Sequence, residues 1–209
     1  VSLGAGKTGA AASQTRAHMS VPRRPTVAVV LGGGAARGFS HIGLLQALEE
    51  HGIPIDVLVG TSMGSIVAGL YAAGLSVDNL MYLVTQIDMN RFFVPRIPPR
   101  GGFVHADQFE LFLDLLTNNA RLEDLPTPFY SIVTDVTTGQ EVALREGPIG
   151  RAIVASIAIP GVFPPVEIDG VYYVDGGLVS VVPVRAARAA GADFVIAVDL
   201  RRTVDDVDY

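Results

Sequence analysis

The chain has 209 residues, 49% of them apolar and only 17% charged, with 15 basic against 21 acidic side chains. That length supports one domain with a small appendage, and the apolar share is enough for a sizeable core, which excludes a disordered or fibrous chain. A net charge of −6 offers no bulk attraction for nucleic acid or an anionic membrane, and the absence of cysteine excludes a disulfide scaffold, a thiol nucleophile and thiolate metal ligation.

Residues 1–25 are rich in Gly, Ala, Ser and Thr, show no period and close on Pro22-Arg23-Arg24-Pro25, so they read as a flexible leader or tag. They lack the continuous apolar stretch of a signal peptide. Gly6-Lys7-Thr8 suggests a phosphate loop, but that motif needs a glycine where Val1 stands. From residue 26 onward, short apolar runs alternate with helical patterns. Residues 26–31 predict a fully buried strand. Ile42, Leu45 and Leu48 predict a helix stopped by Gly52. Residues 56–59 predict a second strand, and 63–73 an apolar helix of small residues ended by Gly74.

Amphipathic helices are expected over 77–87 and 106–117, then strands over 129–134 and 140–144 joined through Thr137-Thr138-Gly139. A helix over 149–157 precedes a hairpin over 166–174 that turns at Asp169-Gly170. A helix over 184–190, stopped by Gly191, and a closing buried strand over 194–198 complete a domain spanning 26–209. The acidic end Asp205-Asp206-Val207-Asp208-Tyr209, just past that strand, suggests a domain cut short at its C-terminus. Strands separated by helices imply an α/β fold around a mainly parallel sheet. Residues 57–77 are uncharged and long enough to span a bilayer. Four glycines, three serines and a threonine interrupt them, so the expectation is a soluble protein, cytoplasmic or peripheral to a membrane.

The strongest chemical signal is Gly60-Thr61-Ser62-Met63-Gly64, between a predicted strand and a predicted helix. That is the setting of a nucleophile elbow, where a serine sits on a sharp turn and side chains at the flanking glycines would collide. The helix that follows points its N-terminal amides at the site and favours an anion there. The second signal is Gly32-Gly33-Gly34-Ala35-Ala36-Arg37-Gly38, directly after the first strand. A dinucleotide loop wants Gly-x-Gly-x-x-Gly, and neither possible register fits. The other reading is an oxyanion hole, in which close-packed N–H groups stabilise a tetrahedral intermediate. Arg37 either fixes the loop, neutralises a lipid phosphate or forms a surface ion pair.

A serine needs a base. After Ser62 the only histidine is His105, in a polar connection ahead of every late aspartate, where the hydrolase order Ser, acid, His does not place one. His41, on the helix after the glycine loop, reads as packed or hydrogen-bonded there. Among carboxylates Asp175 stands out, since Tyr172-Tyr173-Val174-Asp175-Gly176-Gly177 sets it at the end of an apolar strand before two glycines. On its own, that pattern is also what a simple turn looks like.

Taken in order, the segments from Gly32 to Gly38, Gly60 to Gly64 and Asp175 to Gly177 resemble the patatin-like phospholipase family. His41-Ile42-Gly43, Thr134-Asp135-Val136-Thr137-Thr138-Gly139, the stretch from Ser156 to Pro165 and Pro183 add to the likeness, which covers about residues 26–200. The resemblance implies a three-layer α/β/α fold with a mainly parallel central sheet. It implies a Ser-Asp dyad in which Ser62 attacks an ester carbonyl and Asp175 is the general base. It further implies an oxyanion hole from Gly33, Gly34 and Ala35 with Arg37 nearby, and motif glycines at Gly32, Gly38, Gly60, Gly64, Gly176 and Gly177. No cofactor and no metal are implied, calcium included. Ala35 stands where many plant-type members carry glycine, and Ser180 where many relatives carry asparagine.

The expected substrate is an acyl lipid or phospholipid, with no nucleic-acid partner. Residues 91–103, with Arg91, Phe92, Phe93, Arg96 and Arg100, suit a lid or a peripheral membrane contact. Phe163-Pro164-Pro165 is a candidate wall of an acyl pocket. Three other readings stay open at this stage: a non-catalytic lipid-binding module of the same fold, a histidine-assisted serine esterase, thioesterase or acyltransferase, and a nucleotide-binding module.

Overall fold

The computed structural model describes residues 23–86 and 106–201, together with the backbone of residues 94–95 and 104–105. Alternation in the first strand explains the layering. In β1 (Val27–Leu31), Val29 and Leu31 enter one apolar cluster while Ala28 and Val30 enter another on the opposite face, and all four are fully buried. In β2 (Val57–Thr61), Leu58 joins the first cluster, and Val57 and Val59 the second. Strands buried on both faces belong to a sheet covered by helices on both sides.

The first cluster is closed by α1 (Ser40–Glu50), α2 (Met63–Ala72), α3 (Val77–Gln86), α4 (Asp107–Leu116) and α5 (Ile149–Ser156). The second is closed by α6 (Val184–Ala189) through Ala186 and Ala187. The result is the expected three-layer α/β/α arrangement. The helix α2 is buried almost all round, and its small residues allow close approach: a Cβ on Gly69 would stand 2.8 Å from Ile153 on α5 and 3.0 Å from Phe129. No helix among the described residues is long and apolar enough to cross a membrane.

Among the described residues the main sheet has seven strands. Its order is β7 (Val166–Ile168), β8 (Val171–Asp175), β5 (Phe129–Asp135), β2, β1 and β9 (Phe194–Val198), with β6 (Glu141–Leu144) also on β5. The run β5, β2, β1, β9 is parallel, and β6, β8 and β7 are antiparallel additions. A separate antiparallel pair joins β3 (Val94–Pro95) to β4 (Val104–His105).

The register at β5 positions the site. Ser131, Ile132, Val133 and Thr134 pair with β6 along one edge, so β2 and β8 must share the other. Thr61 at the end of β2 pairs with Ile132, and Asp175 at the end of β8 pairs with the next residue, Val133. The two strands run toward each other along a single edge and meet end to end, which brings the residue after Thr61 to the last residue of β8.

Several boundaries differ from the sequence expectation for identifiable reasons. β2 continues through Gly60 and Thr61, held by pairing to Leu31 on one side and to Ile132 on the other. Between the glycine loop and α1 the chain first makes a 3₁₀ turn (Ala35–Phe39), entered through Ala35 at φ 47°. β9 is not the buried strand its composition suggests: among the described residues it pairs only with β1, at the sheet edge, and Phe194 is 57% exposed. Of the expected leader, Arg23 and Arg24 are attached to the body: Arg24 makes a two-pronged contact to Asp56 at 2.6 Å, and Arg23 an ion pair with Asp193 at 2.7 Å. Residues 1–22 lie outside the described residues, as does all of 91–103 except the backbone of β3.

Candidate active site

The end of β2 is shaped by two glycines. A Cβ on Gly60 would lie 2.5 Å from Ser65 Cα, and one on Gly64 only 1.9 Å from the Leu31 carbonyl oxygen, so neither position accepts a side chain. Between them Ser62 takes φ 54°, ψ −122°, a backbone state that L residues rarely adopt and that marks local strain. The turn is braced from below by a serine relay. The Ser62 N–H donates to Ser156 Oγ (2.9 Å), whose hydroxyl donates to the Ile132 carbonyl (2.6 Å). The relay takes up the β5 carbonyl that the departing β2 no longer faces, and it ties the elbow to the last residue of α5.

Across the gap, Ser62 Oγ donates to Asp175 Oδ2 at 2.7 Å. The other oxygen, Oδ1, accepts from the Gly177 N–H at 2.7 Å. Asp175 is only 6% exposed, and its backbone is held by Asp175 N–H to Ala158 O (3.0 Å) and by the Thr134 hydroxyl to Asp175 O (2.9 Å). Burial raises the carboxyl's pKa above the ordinary aspartate value, with the bonds from Gly177 and Ser62 opposing that rise. The pair is therefore a hydroxyl bonded to a carboxylate whose proton affinity has been increased.

Past Asp175 the chain crosses the ends of the parallel strands. Gly176 lies so close to the Ile132 carbonyl that a Cβ would stand 2.3 Å from it. The Thr61 hydroxyl then donates to Ser180 O (3.0 Å), and the Gly33 N–H to Val181 O (2.9 Å). This crossing segment presses the glycine loop toward Ser62: a Cβ on Gly33 would be 3.5 Å from Ser62 Cβ. Of the amides expected in the oxyanion hole, that of Gly33 is thus committed to Val181. Those of Gly34 and Ala35 carry no hydrogen bond among the described residues. Ala35 reaches φ 47°, so the loop turns left-handed there although the residue is not glycine. The Arg37 side chain is exposed and makes no ion pair among the described residues. Gly38 sits against Met63, where a Cβ would lie 2.2 Å from Met63 Cγ.

A pocket of about 230 Å³ opens over this constellation, lined by Gly33, Gly34, Ser62, Asp175 and Gly177 together with Ile159, Pro160, Leu178 and Val181. A family model described as patatin-like phospholipase matches residues 29–188, most of the chain. The chain belongs to the patatin-like phospholipase family. It is 38% identical over 179 residues to a protein of Mycobacterium tuberculosis described as an uncharacterized NTE family protein, covering 84% of this chain and 49% of that one. The human patatin-like phospholipase domain-containing protein 6 is 35% identical over 182 residues (84% and 13%), and the lysophospholipase NTE1 of Saccharomyces cerevisiae 35% over 179 (83% and 11%). The chain thus spans about half the length of the mycobacterial relative and a small part of the others. Among solved structures it is similar in fold to VipD from Legionella pneumophila, with a TM-score of 0.53, 19% identity and coverage of 76% of this chain and 46% of that one. The type III effector ExoU gives 0.51, 20%, 67% and 40%.

For this patatin-like chain, the geometry gathers Ser62, Asp175 and the glycine loop at one pocket, and it leaves other candidates elsewhere. Phe163 is buried and, with Pro164 and Pro165, lines a different cavity of about 330 Å³ beside Glu110 and Arg151. The backbone of His105 pairs with Val94, and its side chain lies outside the described residues. Sequence reasoning missed the structural duties of Ser156 and Thr61. Each bonds a backbone group far away in the chain, so no local pattern announces them, although Ser156 falls within a stretch that carries the family likeness.

Proposed function

We propose that this chain is a serine lipid acyl hydrolase working with the pair Ser62 and Asp175. The observation that carries the reading is the 2.7 Å bond from Ser62 Oγ to a carboxylate that is 6% exposed. As Ser62 Oγ bonds to the ester carbonyl carbon, its proton passes to Asp175 Oδ2, and the carbonyl oxygen becomes an anion. The N–H groups of Gly34 and Ala35, which carry no hydrogen bond among the described residues, are the donors assigned to that charge, and each such donor contributes typically 10²–10³ in rate. Collapse expels the alkoxide, which takes the proton from Asp175 and leaves as an alcohol. A water then gives a proton to Asp175 as its oxygen adds to the acyl carbon. The second collapse frees the fatty acid and returns the proton to Ser62 Oγ.

Ile159 and Leu178, 44% and 59% exposed at the pocket mouth, suit the first carbons of an acyl chain. The lysophospholipase named among the relatives favours a single-chain phospholipid as first substrate to try. The test is turnover of a lysophospholipid and of short soluble esters, with fluorophosphonate labelling mapped by mass spectrometry. Ser62→Ala is expected to lose turnover by about 10⁴-fold or more and all label. Label on another residue, or undiminished turnover, would contradict the reading.

A further inference from the structure

The buried histidine that the dyad does not use sits behind the glycine loop. His41, the second residue of α1, is fully buried, and its Nε2 lies 2.8 Å from the Gly32 carbonyl oxygen. A carbonyl can only accept, so Nε2 carries the proton. The other ring nitrogen, Nδ1, is buried with no partner among the described residues. Burial holds the ring's proton affinity below that of an ordinary histidine, in keeping with a neutral ring that keeps a single N–H, on Nε2.

The peptide that this histidine grips is also held at its other end. The carbonyl of the Gly32–Gly33 peptide accepts from His41, and its N–H donates to Val181 O at 2.9 Å. A peptide between two glycines has no Cβ on either side to resist rotation. If it turned over, the Gly32 carbonyl would leave its present direction and the following amides would be redirected with it. Gly64 packs against the same carbonyl, where a Cβ would stand 2.8 Å from Gly32 O, but packing alone supplies no donor.

We propose that His41 is a positioning residue for the reaction: through the Gly32 carbonyl it fixes the peptide plane that aims the Gly34 and Ala35 N–H groups at the developing oxyanion. This rests on the serine-hydrolase reading. The role needs an N–H at the end of four bonds from Cα, which histidine Nε2 and glutamine Nε2 both provide. The asparagine amide, like histidine Nδ1, stops one bond short.

The experiment compares wild type with His41→Gln, His41→Asn and His41→Leu on a soluble monomeric ester, with folded fraction followed by circular dichroism. His41→Leu and His41→Asn are expected to lose kcat by about 10²-fold, the scale of one oxyanion donor, with KM within about threefold of wild type. His41→Gln is expected to stay within about fivefold in kcat. The rate of Ser62 phosphonylation by a fluorophosphonate should follow kcat, because that step also develops charge on oxygen. If His41→Leu does not fold, the glutamine and asparagine variants still decide the matter. Equal kcat in those two, or wild-type kcat in a folded His41→Leu, overturns the proposal while leaving the hydrolase reading intact. A wild type that neither turns over ester nor takes label overturns both.

Discussion

Two features of the Ser62 turn work against stability. The Ser62 backbone is held at φ 54°, and the carboxylate its hydroxyl bonds is buried, a cost that this bond only partly offsets. Strain of this kind costs on the order of 1–3 kcal/mol and persists only where surrounding contacts impose it, here Gly60, Gly64 and the Ser156 relay. Glycine occupies that backbone state freely, whereas alanine does not. Ser62→Gly and Ser62→Ala both remove the hydroxyl, so their difference isolates the backbone. Calorimetry should find the glycine variant more stable by about 1 kcal/mol, roughly 2–4 °C in Tm, with both inactive. Equal Tm values would mean that the turn relaxes once the hydroxyl is gone.

At the scale of elements, the elbow works because α2 can begin directly against the end of β1. The Leu31 carbonyl occupies the space where a Gly64 side chain would stand, so Gly64→Ala must push α2 away from the sheet. That overpacking is expected to cost about 3 kcal/mol or more, read as a fall in denaturant midpoint or as failure to accumulate folded protein. Such steric necessity is also why the elbow was legible in the sequence. Both glycines of Gly60-Thr61-Ser62-Met63-Gly64 are required locally, and strand and helix periodicity on either side supplied the context. The order of strands, helices and their glycine stops was readable for the same reason, with Gly52, Gly74 and Gly191 at φ 64°, 98° and 90°.

What could not be read depends on pairing between distant parts of the chain. The meeting of β2 and β8 along one edge of β5 is a matter of register, which composition does not encode. The commitment of the Gly33 N–H to Val181 depends on where the segment after Asp175 crosses, 148 residues further on in the chain (181 minus 33). The edge exposure of β9 goes with its having one neighbouring strand among the described residues instead of two.

For the whole molecule, the site sets a pH dependence of stability. Because burial raises the folded-state pKa of Asp175, the folded protein binds that proton more tightly than the unfolded chain does. Stability from this group is present below the unfolded value of about 3.8 and is lost as pH rises through the folded one. His41 acts in the opposite sense, with a lowered folded pKa, so its contribution is lost as pH falls below about 6.5. Asp175→Asn keeps an acceptor for the Gly177 N–H and removes the buried charge. Its Tm should exceed that of wild type at pH 7, and the gap should close toward pH 4, with the His41 contribution cancelling between the two proteins. A gap that is constant across that range, or of opposite sign, would mean that the carboxylate is not destabilised by its burial.

In the proposed reaction Asp175 is the base. The most direct test of that role is kcat on a soluble ester for wild type, Asp175→Asn and His105→Ala, each verified as folded. Asp175→Asn should fall by about 10³-fold or more, in the range of a lost general base, and His105→Ala should remain within a few-fold of wild type. Wild-type turnover in Asp175→Asn, or an equally deep loss in His105→Ala, would contradict the Ser62–Asp175 dyad.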